Sequence, residues 1–210
     1  QGLLGWYMVK SGLVNDPRVS QYRLVGHLGL ALLIYAGVFW LASAYFVRGM
    51  RQRYAVPASL HGLGLLLFAF IALTVLAGGF VAGTHAGYAF NTFPLMHGAL
   101  LPEGYGALNP AWKNLFENVA AVQFNHRLLA TLTLLLAAAV FWRALRATLL
   151  PAARHLAGVM LLLLGLQYSL GITTLLHHVP LALGALHQAL AVIVLTSGLL
   201  LLRVLFQLGK

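Results

Sequence analysis

Three of the nine histidines open long apolar runs. His27 begins "HLGLALLI", His126 stands in "VQFNHRLLATLTLLL" with Arg127 beside it, and His187 stands in "GALHQALAVIV". Ionisable groups set a turn or two inside an apolar segment are costly there, so they usually face a protein interior and have a task. The bland alternative is a structural imidazole hydrogen-bonded to a neighbouring helix. The other six histidines carry less signal. His61 and His155 fall at the opposite ends of their segments, and His85, His97, His177 and His178 lie in or beside loops, where a solvated imidazole is ordinary. No nucleophile, base and carboxylate converge in the sequence, so hydrolysis is not suggested. With no cysteine, disulfides, thiolate zinc sites and iron-sulfur clusters are excluded within this chain.

The elements that must position these groups are membrane helices. The 210 residues are 61% hydrophobic and 8% charged, with mean hydropathy +0.88, which no soluble domain matches. A hydrocarbon core of about 30 Å takes roughly 20 residues of helix. Runs of that length occur at 22–47, 58–83, 119–145, 152–175 and 180–206. They are continuously apolar, whereas a membrane barrel would alternate with period two. The fold class expected is therefore an all-α integral membrane protein with five transmembrane helices.

The net charge of +10 sets topology; it does not point to nucleic acid, because the basic residues form no run. Arg48, Arg51, Arg53, Arg143, Arg146, Arg154, Arg203 and Lys210 share one side, the cytoplasm or matrix by the positive-inside rule. Asp16, Glu103, Glu117 and the longest loop, about 84–118, take the other. His27, His126 and His187 then lie near the external face. In "GGFVAG", Gly79 and Gly83 stand four apart with no strand before them, which reads as a close helix contact and not a nucleotide loop. The aromatic-rich loop "GYAFNTFPLMHGALLPEGYG" suits either a cap over a site or ordinary interfacial anchoring.

The chain also repeats itself. "QGLLGWYMVKSGL" from Gln1 aligns with "QYSLGITTLLHHV" from Gln167, matching Leu4 to Leu170 and Gly5 to Gly171. About twenty residues later each copy reaches its histidine, His27 or His187. Duplication of a four-helix unit accounts for this. Residues 1–57 then end a first half, residues 58–210 form a complete second half, and the first-half counterpart of His126 lies upstream of Gln1.

Two imidazoles from facing helices of a four-helix bundle are a standard means of holding a haem iron from both sides. Ala31, Ala130 and Ala191, each four residues after its histidine, with Gly26, Gly29, Gly184 and Ala189, would leave room for a macrocycle. Arg127 suits a propionate, since guanidinium matches carboxylate bidentately; its plainer role is interfacial anchoring.

At this point "QGLLGWYMVKSGL", "VSQYRLVGHLGLAL", "FVAGTHAGYAFNTFPLMHGALLPEG", "NVAAVQFNHRLLA" and "LGITTLLHHVPLALGALHQA" together resemble, in order, the haem A synthase family of proteobacteria and mitochondria. The resemblance implies eight helices in a pseudo-symmetric pair of four-helix bundles, of which this chain covers the end of the third through the eighth. It implies His126 and His187 as axial ligands of a haem b cofactor, and His27 as a ligand of the substrate, haem O, whose ring methyl becomes the formyl group of haem A for cytochrome oxidase assembly. It further implies a glutamate in a Glu-x-x-His arrangement upstream of Gln1, so the catalytic residues are expected there. Gln123 is the second-half equivalent of that glutamate. Haem O synthase, an electron donor and the lipid bilayer of a bacterial plasma membrane or mitochondrial inner membrane are the partners implied, and a homo-oligomer is compatible. Asn125 and His97 depart from the acidic residues expected at their positions. The alternatives are a b-type cytochrome that only transfers electrons, with the same histidines, and a transporter or scaffold with a histidine-lined path.

Overall fold

The computed structural model describes residues 1–10, 19–47, 56–147, 149 and 151–207. Asp16, Arg48, Arg51, Arg53 and Lys210, used above for topology, lie outside the described residues. Six α-helices follow in order: α1 (Gly2–Lys10), α2 (Gln21–Val47), α3 (Ala58–Gly83), α4 (Val119–Arg146), α5 (Pro151–Leu176) and α6 (Leu181–Gln207). The last five are long and apolar enough to cross a membrane. Among the described residues there is no strand; an isolated bridge joins Met96 and Ala99. The chain is an all-α integral membrane protein.

Local chemistry sets the helix starts. Asn118 caps α4 by accepting the N–H groups of Ala120 and Ala121, satisfying two donors that a helix start leaves open. Pro151 occupies the first position of α5, where its missing N–H costs nothing. Arg143, Arg146, Arg154 and Arg203 all fall at the helix ends remote from the long loop 84–118.

Helices α3, α4, α5 and α6 form a closed ring, each packed on the next and α6 back on α3. Helix α2 docks outside this ring in the groove between α3 and α6, and α1 packs on α2. The glycines of "GGFVAG" explain how close α2 comes. A methyl group added at Gly79 would lie 3.0 Å from Val25, and one at Gly83 would lie 2.7 Å from the Gln21 backbone. Tyr35 of α2 bonds Thr196 of α6 at 2.6 Å. Tyr22 donates to Glu117 at 2.8 Å, tying the start of α2 to the segment before α4.

The apolar core of the ring is confined to one end. Its members are Leu60, Leu67 and Ile71 of α3, Ala137, Val140 and Ala144 of α4, Ala153, Ala157, Met160 and Leu164 of α5, and residues from Val194 to Leu205 of α6. On every helix these positions occupy the half away from the long loop. Two hydroxyl pairs mark the boundary: Thr74 with Thr133, and Thr131 with Tyr168, each at 2.9 Å.

Candidate functional site

Beyond that boundary lie the three histidines. His27, His126 and His187 each fall roughly two turns past the start of α2, α4 and α6. All three are half-buried. Each presses its ring against a glycine of the preceding helix. A methyl group added at Gly5, Gly78 or Gly171 would come within 3.0, 3.1 or 2.9 Å of Cε1 of His27, His126 or His187 respectively. No side chain larger than hydrogen fits there without moving the ring. Gly78 and Gly79 are adjacent, so they face different neighbours: Gly78 faces His126 inside the ring and Gly79 faces α2 outside it.

His126 and His187 belong together. Helices α4 and α6 stand diagonally across the ring, since each packs on α5 and α3, and the two imidazoles lie within electrostatic range of one another. His27, on α2, is outside the ring. Nδ1 of His126 and Nδ1 of His27 are buried and have no hydrogen-bond partner. Gln167 reaches His187, with Nε2 3.2 Å from Nδ1, 3.3 Å from the ring Nε2 and 3.0 Å from the backbone carbonyl. Gln1 does likewise at His27, 3.1 Å from the ring Nε2 and 3.2 Å from the carbonyl.

Among the described residues no three His, Asp or Glu side chains converge on one point. A bare divalent ion needs more ligands than a facing pair can give. A haem iron brings four nitrogens of its own and needs only the two axial positions filled. Two imidazoles on diagonally placed helices of one ring, each against a glycine and away from the main apolar cluster, are a donor set that suits such a group.

Arg127 turns to the loop. Its Nη1 donates to Thr92 O at 2.9 Å, and its Nη2 donates to Phe90 O at 2.7 Å and to Gln123 Oε1 at 2.8 Å. Gln123, which is buried, donates in turn to Ala86 O at 2.6 Å. The two side chains clamp the start of the long loop over the histidine end of the ring. Three of the five guanidinium donors are thereby used. Nε is buried and has no partner. Asn125 accepts the hydroxyl of Tyr105 at 2.9 Å, and Asn118 donates to Gly104 O and Asn114 Oδ1.

The remaining histidines are elsewhere. His61 bonds Leu205 O at 3.0 Å at the far end of the ring, and His155 is exposed. His85, His97, His177 and His178 are exposed around the loops; three of them, His85, His97 and His178, adopt left-handed backbone. An open pocket of about 460 Å³ under the loop is lined by Phe90, Glu103, Glu117 and Asn118 among others, and none of the nine histidines lines it. Sequence reasoning missed Gly78, and it gave Gln1, Gln167, Gly5 and Gly171 no role at the site. The repeat had already aligned the latter four, which was the available signal. Of the small residues proposed to make room, Gly26 has open space around it and Gly184 touches only Val179.

Known proteins place the chain. The family model described as cytochrome oxidase assembly protein, COX15-CtaA, matches residues 1–199. A protein of Nitrosospira multiformis named Heme A synthase is 48% identical over 203 residues, which is 95% of this chain and 56% of that protein. Its counterpart in Nitrosomonas eutropha is 46% identical over 203 residues, covering 95% of this chain and 56% of that protein. Heme A synthase COX15 of Arabidopsis thaliana is 41% identical over 220 residues, 96% of this chain and 46% of that protein. The chain thus spans about half the length of the curated relatives it matches. No solved structure matches it. A family match along nearly the whole chain, with the paired glutamines, glycines and histidines inside it, means that the chain belongs to the COX15-CtaA family of cytochrome oxidase assembly proteins.

Proposed function

We propose that this chain supplies the haem b half and part of the substrate half of a haem A synthase. The reaction is oxidation of a ring methyl of haem O to the formyl group of haem A. The observation that carries this reading is that His126 and His187, on diagonally placed helices of one ring, are each seated on a glycine at the end away from the main apolar cluster. The orphaned Nδ1 of His126 adds to it, as a polar atom buried with nothing to bind.

In this reading His126 and His187 hold haem b between α4 and α6. A haem held by these two imidazoles would supply electron transfer and not oxygen binding. Gly78 and Gly171 let the rings lie flush with α3 and α5. The clamp of Arg127 and Gln123 on Ala86, Phe90 and Thr92 keeps the loop over this end and limits water entry. The unpartnered Nε of Arg127 is a donor left for a propionate. His27, on its own glycine in the first half, would bind haem O, the substrate. The relatives bear the name Heme A synthase, which supports the assignment of activity. An electron donor and haem O synthase are the partners that such a reaction calls for, in a bacterial plasma membrane or a mitochondrial inner membrane.

The test is made on the full-length protein. His126→Ala and His187→Ala should each abolish the low-spin b-type spectrum of the second half. Pigments extracted after turnover with haem O should contain the formyl product only for the wild type. A variant that keeps the spectrum removes the axial assignment. A wild type that binds haem and leaves haem O unconverted would be a b-type electron-transfer subunit instead.

A further inference from the structure

The glutamines beside two of the three histidines play no part in the reading so far. Gln167 and Gly171 stand four apart on α5, and His187 lies across both, its ring on the glycine and the amide reaching both ring nitrogens and the backbone carbonyl. Gln1 and Gly5 make a similar saddle for His27, with the amide reaching one ring nitrogen, Nε2, and the carbonyl. The arrangement is not generic packing, because His126 lacks it. Four residues before its glycine stands Thr74, whose hydroxyl is committed to Phe70 O at 2.7 Å and Thr133 Oγ1 at 2.9 Å.

A carboxamide offers two donors and one acceptor oxygen. At His187 one N–H goes to the carbonyl, while Oε1 of Gln167 is buried and has no partner. When one imidazole nitrogen gives its lone pair to a metal, the other carries the proton and needs an acceptor. Oε1 is the acceptor left over at that spot. Turning the amide to present it costs the His187 carbonyl little, because a mid-helix carbonyl already accepts the N–H four residues on.

We propose that Gln167 is a positioning residue for His187: it accepts the ring N–H of the nitrogen not bound to metal, fixes the tautomer and makes the imidazole a stronger electron donor. The inference rests on His187 being an axial ligand, and the experiment separates the two ideas.

Full-length Q167L and Q167E proteins would be purified with their haem b. The midpoint potential of that haem is measured by redox titration, and its ferric form by low-temperature electron paramagnetic resonance. Loss of the acceptor in Q167L should raise the potential, increasing the ferrous to ferric ratio at fixed potential about tenfold, about 59 mV for a one-electron couple. The stronger acceptor in Q167E should lower it. Shifts of opposite sign support the saddle, since a packing defect would move both variants the same way. Potentials equal to wild type, or displaced together, overturn it. If Q167L fails to hold pigment, Q167E decides alone: a fall supports the proposal, while no change or a rise overturns it. Retention of the low-spin spectrum in His187→Ala removes the ligand assignment itself, and the proposal with it.

Discussion

The two ends of the ring formed by α3 to α6 solve different problems with the same kind of helix. At the end remote from the long loop, Leu60, Leu67, Val140, Met160 and Leu205 fill the interior almost completely. At the other end the same four helices present Gly78, His126, Gly171 and His187, and no member of that core. Lipid is as apolar as leucine, so helices in a membrane associate through close packing and hydrogen bonds. The packed end supplies that contact. The histidine end is then free to hold a group that is not protein, because its geometry is fixed from the far side.

The sharpest way to break this comparison is Gly171→Val. Even a bare methyl would lie 2.9 Å from the His187 ring, and the branched side chain needs more room still. Pigment per mole of protein should fall more than about tenfold, in line with lost metal support, while thermal stability of the pigment-free protein stays at the wild-type value. Equal losses of both would mean that the two ends are not separable. Met160→Ala attacks the packed end. Met160 is almost fully enclosed, and truncation should cost about 2 kcal/mol in a reversible unfolding titration, with the spectrum of the folded fraction unaltered. A displaced Soret band would show the core reaching the proposed haem site. Thr133→Val probes the boundary. Its bond to Thr74 is one interhelical contact, worth about 0.6 kcal/mol in membrane helices, so a small fall in melting temperature is expected; a collapse of pigment content would move the boundary. The smallest effect belongs to His155→Ala, an exposed residue at the packed end, which should leave pigment and activity as they were. Pigment loss there would invert the orientation of the site.

Much of this architecture can be read from the sequence because membrane helices are delimited by composition. The run at 58–83 matches α3 residue for residue, and that at 22–47 differs from α2 by one residue. Continuous apolarity over such lengths has a single hydrogen-bonded solution in lipid. The histidines were legible for the same reason, since an imidazole stands out against leucine. What touches them was not. Gly78 lies 48 positions before His126 in the chain, and the rotation of α3 that turns Gly78 inward and Gly79 outward is a tertiary fact with no local periodicity to betray it. Arg127 shows the same limit. The groups it clamps include the backbone carbonyls of Phe90 and Thr92, and every residue type carries one of those. Gln123 was noted only as a counterpart, and its bond to Ala86 O depends on a turn in the loop.

The position of α6 has a consequence for the order in which the protein is made. This helix closes the ring against α3, completes the groove that receives α2, and carries His187. It is also the last of the described helices to leave the ribosome, about 120 residues after α3. At 5–20 residues per second that is an interval of about 6–25 s. Toward its end, once α5 is made, α3, α4 and α5 stand in the membrane as an open-sided cluster that holds His126 and not yet His187. Closing the ring and completing the pair of histidines are therefore one event, and a haem that binds both must either wait for it or be enclosed by it.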